Sequence, residues 1–447
     1  MLGSTDLSRR RLLQQLAALS AFSTLARAAP PAVSPPPPDL SAEDDQFLND
    51  LEQANFLFFW EQASPSTGLV RDRANTRTPD QNPLASIAAT GFGLTALCIG
   101  QQRGFIPYPQ ARDRVLASLR ALWSRLPNHR GFFFHFANIE TGERLWDSEV
   151  SSIDTAILLC GVLTCRTHFH HREITRLATQ IFNRVEFAWL SEDTPLLPHG
   201  WLPEFGFLPY RWDFYSEVMM LYLLGIGSST FPLRQETWDA WKRTTFEYDG
   251  IRYVGSFAPL FVHQYSQAWF DFRGKRDRYA DYFENSVIAT DIHRRFCLEL
   301  AKQFPDYTND LWGISASDSM HGYQVWGGPP AKGPIDGTIT PSAAAGSLPF
   351  QPKATMRVLR TIKDRYGVGA WSRYGFVNAF NPLKNWYDKD VIGIDTGITM
   401  LMAENLRTGF VWDTFMKNPE AKRGMDKAGF KPNPGSQPGA GSVSSSN

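Results

Sequence analysis

Carboxylates set among aromatic rings are the side chains of this sequence best equipped for chemistry, and Glu217 is foremost among them. It stands where a crowd of rings (Trp201, Phe205, Phe207, Tyr210, Trp212, Phe214 and Tyr215) meets an unbroken apolar run from Val218 to Leu224. An acid at the start of a buried helix, fed by an aromatic loop, suits a site that grips sugar rings and protonates something. The plainer alternative is a core helix with a solvated glutamate in its first turn. Partial desolvation among the rings would raise the carboxyl pKa and keep a proton available near neutral pH. A first-turn position works the other way, because the helix dipole favours the anion. Burial must outweigh the dipole if Glu217 is to act as an acid.

Other residues offer supporting chemistry. Asp395 lies in Gly393-Ile-Asp-Thr-Gly397, where backbone freedom lets a carboxylate face a cleft. Capping the following helix is the commonest job of such an aspartate. Glu149 and Asp154 flank the start of another apolar segment, with Ser151 or Ser152 as its cap, and Asp154 is a candidate acceptor for sugar hydroxyls. From Pro259 to Gly274, His263, Gln264, Asp271 and Arg273 alternate with aromatics, as in sugar-binding loops, although Arg273 equally suits a structural ion pair. Asp318 and Asp336 complete the acidic candidates. Trp60, Phe92, Trp212, Tyr215, Trp312 and Trp386 are candidates to stack on sugar faces, and each is equally a candidate for the core.

No metal or cofactor is expected. His168, His170 and His171 form the one histidine cluster, without carboxylates or cysteines at ligand spacing. Gly91-Phe-Gly93 is inside an apolar helix, the wrong context for a phosphate-binding loop. Cys98, Cys160, Cys165 and Cys297 are too few for a disulfide scaffold and read as buried free thiols.

The 447 residues have room for one large domain or two to three ordinary ones, and a formal net charge of zero gives no footprint for nucleic acid. Residues 1–28 read as a twin-arginine-like export signal: Ser8-Arg-Arg-Arg11, an apolar run, then Ala26-Arg-Ala28. That run is too short for a stable membrane span, so a periplasmic or secreted location is expected. Residues 29–40 form a proline-rich spacer and residues 432–447 a disordered tail, leaving 41–431 as the folded domain.

Within that domain, helices apolar all round (86–99, 151–167, the run after Glu217) trade places with amphipathic ones (41–61, 108–125, 173–190), and further helices follow at 282–304, 352–366 and 397–407. The glycines at 91 and 93 would each cost about 1 kcal/mol in a helix unless close packing offsets them. Residues 131–136 and the turn at 140–143 read as a β-hairpin. Two concentric rings of helices produce such an alternation, with long loops gathering at one rim to build a cleft. The expected fold is therefore all-α, an α/α barrel with long rim loops. A helical solenoid is the alternative, but no repeat of fixed period is present.

Several segments, taken in order, resemble glycoside hydrolase family 144, the bacterial endo-β-1,2-glucanases with a glucoamylase-like domain. They include WEQASPSTGLVRDR (60–73), SIAATGFGLTAL (86–97), IDTAILL (153–159), the stretch 212–228, and PLFVHQYSQAWFDFRG (259–274). DYFENS (281–286), LWGISASDSMHGY (311–323), DGT (336–338), YGFVNAFNP (374–382) and GIDTGITMLMAENLR (393–407) complete the set. The resemblance covers nearly the whole chain after the spacer. It implies an (α/α)6 barrel that cleaves linear β-1,2-glucan to short oligosaccharides with inversion. Relatives of similar sequence differ in substrate and stereochemical outcome, and some transfer rather than hydrolyse.

Glycoside hydrolysis needs one carboxylic acid to protonate the leaving oxygen and a second carboxylate on the opposite face. The resemblance places the acid at Glu217, in Tyr215-Ser-Glu217, and points to Asp395 as the base. In relatives that retain configuration, a carboxylate in the segment of Glu149 acts as nucleophile, which makes Glu149 the rival. Two alternatives stand beside this reading: a related hydrolase or transglycosylase acting on another β-glucan, and a non-catalytic glucan-binding protein on the same scaffold.

Overall fold

Residues 40–256, 259–329 and 333–433 are described in the structure, a computed structural model. The expected export signal, nearly all of the spacer and residues 434–447 lie outside them. Pro432 and Asn433, expected to begin the tail, are part of the fold. Lys431–Pro432 pairs with Lys275–Arg276, and Asn433 N donates to Gly274 O at 2.8 Å.

Helices of two kinds alternate along the chain: α1 (Ala42–Glu61), α2 (Ile87–Gln102), α3 (Tyr108–Ser124), α4 (Ser152–His168), α5 (Arg172–Asn183), α6 (Met219–Gly227), α7 (Tyr282–Leu300), α8 (Pro341–Ala345), α9 (Pro352–Ala370) and α10 (Gly393–Arg407). Two short helices, α11 (Phe410–Phe415) and α12 (Pro419–Lys427), follow. The outer helices bury one stripe, as α3 does with Val115, Leu119 and Leu122. By contrast, α2 is buried continuously from Ile87 to Gly100 and α6 along its whole length. This is the (α/α)6 barrel implied by the alternation and by the resemblance.

The inner ring closes by direct packing. α2 lies against α4, α4 against α6, and α10 against both α1 and α2. Between α6 and α8 the ring runs through two 3-10 turns, Leu260–His263 and Tyr265–Ala268. Ser266 Oγ accepts from Met220 N at 3.0 Å, and Gln264 Nε2 donates to Ala343 O at 2.9 Å, so these turns are bonded to both neighbours. The glycines of α2 do serve close packing. A Cβ on Gly91 would sit 2.6 Å from Ile157 O, and one on Gly161 of α4 would sit 2.1 Å from Gly91 O. The two inner helices therefore cross at backbone contact, which only glycine allows. All four cysteines are buried free thiols. No helix among the described residues is long and apolar enough to cross a membrane.

Several boundaries differ from expectation. α5 stops at Asn183, and a separate 3-10 turn covers Phe187–Ser191. The expected hairpin is divided: Phe132–Phe133 pairs back onto Asn128–His129, while Phe136–Asn138 pairs with Leu84–Ser86. α10 begins at Gly393, four residues earlier than the periodicity suggested, and α6 begins only at Met219.

Short strand pairs tie the loops that precede inner helices. Arg73–Asn75 joins Asp390–Ile392, Leu84–Ser86 joins Phe136–Asn138, and Val150–Ser151 joins Gly200–Leu202.

Candidate active site

The rim where inner helices begin gathers the carboxylates. Asp154 is the third residue of α4 and Asp395 the third residue of α10, so two aspartates hold the same position in two inner helices. Ser342 is the second residue of α8, and Glu217 lies two residues ahead of α6. Glu217 lies just ahead of the helix, still near the positive end of its dipole, so burial must outweigh that field for the carboxyl to stay protonated.

Ser266 holds the Glu217 turn from below. Its Oγ donates to Glu217 O at 2.5 Å while accepting from Met220 N. The Glu217 carboxyl has no side-chain donor among the described residues. Burial, against a partly compensating backbone N–H and with added repulsion from Asp154, raises its pKa to about 7. Asp395 reaches about 7 by a different balance. Burial and the Asp318 charge raise it, while hydrogen bonds from Ser342 and Asn378 and the Arg73 charge pull it down. Ser342 Oγ donates to Asp395 Oδ1 at 2.9 Å, and Asn378 Nδ2 donates to Oδ2 at 2.6 Å. The Asn378 amide is itself oriented, since its Oδ1 accepts from Asp318 N at 2.7 Å. Tyr265 is near both carboxyls: burial raises its pKa, and the charges of Asp395, Glu217 and Asp154 add to that rise.

Two polar clusters flank this pair. Beside Glu217, His135 Nδ1 is 3.0 Å from Glu149 Oε1 and its Nε2 is 3.6 Å from Asp154 Oδ2. Burial opposes charge on His135, but Asp154 and Glu149 outweigh it and raise the pKa to about 9. Glu149 is correspondingly held below its usual value: burial would raise it, and the His135 hydrogen bond and charge prevail. Ser151 Oγ donates to Asp154 Oδ2 at 2.5 Å and caps α4 by accepting from Asp154 N. Beside Asp395, Arg73 Nη1 is 2.7 Å from Asp318 Oδ2, and its Nε is 3.3 Å from Asp72 Oδ2. Asp388 next to Asp318 is raised to about 7, by burial and by that neighbour. Within each of two clusters, His135–Glu149–Asp154 and Asp318–Asp388–Asp390, the ligand-type atoms lie within 4.8 Å of one another. Each already contains or adjoins a cation of the chain, His135 or Arg73.

Of the aromatic candidates, Trp212 and Trp386 stand at the rim. Trp212 stacks on His199 at 3.8 Å and donates to Ser152 Oγ at 3.0 Å. Trp386 lines a pocket of ≈ 320 Å³ together with Asp318, Asp388 and Asp390. The others are corrected by the structure. Phe92, Tyr215 and Trp312 are fully buried, so none offers a face to a sugar. Trp60 packs on outer helix α1 against Phe56, under the Arg114 guanidinium at 4.3 Å. His263 is buried and bonded to the Tyr215 hydroxyl at 3.1 Å, and burial lowers its pKa to about 3. Gln264 spends its amide on Ala343 O and Ser347 Oγ. Asp271 and Arg273 pair with each other at 2.9 Å, and Arg273 stacks over Trp412 of α11 at 4.0 Å. They follow the C-terminal end of an inner-ring segment and so belong to the rim opposite the acids. Asp336 is a structural partner of Lys384 at 2.6 Å.

Sequence reasoning passed over His135, Tyr265, Ser342, Asn378 and Arg73 as site residues. His135 carried a usable signal, being the lone polar group in Phe132-Phe-Phe-His-Phe136. Ser342 carried none.

The family model described as "Putative glucoamylase" matches residues 209–419. An exo β-1,2-glucooligosaccharide sophorohydrolase (non-reducing end) of Parabacteroides distasonis is 29% identical over 423 residues, covering 86% of this chain and 58% of that protein. The chain thus spans just over half the length of that relative. The endo-β-1,2-glucanase of Chitinophaga pinensis, solved with sophorotriose and glucose, superposes with a TM-score of 0.81 at 28% identity, over 88% of this chain and 99% of that one. The endo-β-1,2-glucanase of Talaromyces funiculosus, solved with sophorose, shares the fold at 13% identity, with a TM-score of 0.63 over 85% of this chain and 89% of that one. The resemblance to the glucoamylase-like β-1,2-glucanases of family 144 is borne out.

Proposed function

We propose that this chain is a glycoside hydrolase that cleaves linear β-1,2-glucan internally to short oligosaccharides with inversion, using Glu217 as general acid and Asp395 as general base. The observation that carries the reading is the pair of carboxyls, both brought to about 7, at the starts of two inner helices around Tyr265. A general acid or base works best when its pKa lies near the working pH. Glu217, with no side-chain donor to stabilise its anion, is suited to hold a proton and give it to the glycosidic oxygen. Asp395, which accepts two hydrogen bonds, is suited to be the anion. In the reaction, water attacks the anomeric carbon as the bond to the leaving oxygen breaks. Glu217 supplies the proton to that oxygen, and Asp395 takes one from the water. The β-1,2-glucan specificity of the relatives supports the substrate.

A second reading has its own observation. His135 holds Glu149 ionised, the state a nucleophile of a retaining enzyme requires. Proton NMR on linear β-1,2-glucan separates the two: an initial α-anomer supports inversion through Asp395, and a β-anomer supports retention through Glu149. In the same assay Glu217→Gln is expected to lower turnover by about 100-fold or more while glucan binding persists. A variant keeping most of its activity would remove Glu217 from the role. Products of intermediate length at early times mark internal cleavage, whereas sophorose alone marks release from an end. Binding without turnover would mark a glucan-binding protein. The arginine-rich N-terminus supports export as the setting for this activity.

A further inference from the structure

We propose that His135 is a cationic positioning residue that brackets Glu149 and Asp154 and presents them as fixed anionic acceptors for hydroxyls of the sugar unit beside Glu217. The inference rests on the glucan reading above for its ligand, but on geometry for its charge. His135 is tethered by its backbone on both sides. Its N–H donates to Glu149 O at 2.9 Å, and its carbonyl accepts from Ile87 N, the start of α2, at 3.2 Å. Its ring stacks on Phe136 at 3.9 Å between centroids. Held so, Nδ1 faces Glu149 and Nε2 faces Asp154. Nδ1 is at hydrogen-bond distance from Glu149, and Nε2 makes a longer ion-pair contact with Asp154; a carboxylate against each ring nitrogen favours the imidazolium over either neutral tautomer.

The surroundings are built for this bracket. A Cβ on Gly200 would lie 2.6 Å from Glu149 Cγ, so the facing strand leaves Glu149 its place by carrying glycine. The charged and titratable groups around the trio are Asp72, which also acts on His135; Arg144 and His199, which face Glu149; and Glu217, which faces Asp154. Both side chains stay partly exposed, although the Glu149 carboxylate is also held by its own backbone N–H and Asp154 by the Ser151 hydroxyl. Two partly exposed carboxylates held in place by one cation and by Ser151 are a receptor for neighbouring hydroxyls. The Asp154 charge also helps to keep the proton on Glu217, so the bracket connects binding to the acid.

The test uses the full chain with histidine labelled in nitrogen-15. His135 is expected to remain doubly protonated at about pH 8, above the ordinary imidazole value of about 6.5. Glu149→Gln is expected to move its titration downward. A His135 ring already singly protonated at about pH 8 would overturn the proposal, and this readout needs no activity. On linear β-1,2-glucan, His135→Gln is expected to raise KM about 10-fold and, by leaving the Asp154 charge beside Glu217 less compensated, to move the basic limb of kcat/KM upward. His135→Lys, which restores the charge, is expected to recover most of both. An unchanged KM and pH profile in His135→Gln would also overturn it. If the wild-type chain turns over no β-1,2-glucan, the glucan reading falls while the titration still decides the bracket.

Discussion

Removing the Ser342 hydroxyl should move the acid limb of the pH profile and leave the basic limb in place. In Ser342→Ala, Asp395 loses the 2.9 Å hydrogen bond to Oδ1 and keeps the one from Asn378 to Oδ2. A hydrogen bond to a charged group contributes about 1.5 kcal/mol at the low end of its range, which is about one pKa unit. The Asp395 pKa, about 7 in the native protein, should therefore rise to about 8 in the variant. On the proposed assignment of acid and base, the active form has Glu217 protonated and Asp395 ionised. With both groups at about 7, that form is about one quarter of the enzyme at pH 7. In the variant it falls to roughly one twentieth, so kcat/KM at pH 7 should drop about fivefold. The optimum should rise by about half a unit, because only one limb has moved. Reducing-end release from linear β-1,2-glucan, followed from about pH 5 to about pH 9, measures both limbs. A basic limb that shifts while the acid limb stays fixed would assign the base to another group. An unchanged profile would show that the Ser342 contact does not govern Asp395.

Two stability predictions test the scaffold. Gly161→Ala puts a Cβ 2.1 Å from Gly91 O, where two inner helices touch backbone to backbone. It should cost about 3 kcal/mol, read as a fall in Tm of about 4 °C for a domain of this size. At the other end of the barrel, Arg407 contacts Glu52 at 2.5 Å and Asp45 at 2.7 Å, and Glu52 is fully buried. Arg407→Ala should destabilise by about 3 kcal/mol at about pH 8 by leaving Glu52 with only the more distant Arg103 at 3.6 Å. Burial already raises the Glu52 pKa well above its ordinary value, so the ionised form is the costly one and the loss should shrink as pH falls and the group protonates. Denaturant titrations at about pH 8 and about pH 5 would check the sign.

The barrel was legible because burial leaves a periodic mark. A helix wet on one side alternates, as α3 does, and a helix buried all round does not, as α2 and α6 show. Glu217 was legible as an acid among aromatics, and Asp395 as an acid between glycines. The aromatic candidates were harder, because a ring in the core and a ring in a cleft are the same residue type in the same neighbourhood. Phe92 and Tyr215 are packing, and only three-dimensional burial tells them from Trp386. Arg273 took the structural ion pair that the sequence also allowed, with Asp271, because local sequence does not say which end of an inner-ring segment opens onto the cleft. His135 escaped notice because its meaning comes from strand pairing: its backbone bond to Glu149 places two residues 14 apart side by side. Ser342 acts on a residue 53 positions away, a relation no local pattern encodes.

The short strand pairs at the rim carry a thermodynamic consequence. Those of Arg73–Asn75, Leu84–Ser86 and Val150–Ser151 each join loops from different helix pairs, and the Arg73–Asp318 contact adds a further link. Together they form a hoop along one side of the carboxylates, running from the Asp318 loop to the Gly200–Leu202 loop. Long loops usually lose much conformational entropy when a ligand orders them. Here that loss falls on folding, because the loops are fastened to one another before any sugar arrives. The cleft is accordingly preorganised: its selectivity depends on fit and hydrogen-bond placement rather than on closure. A change in one seam should be felt along the hoop, in loops far apart in sequence.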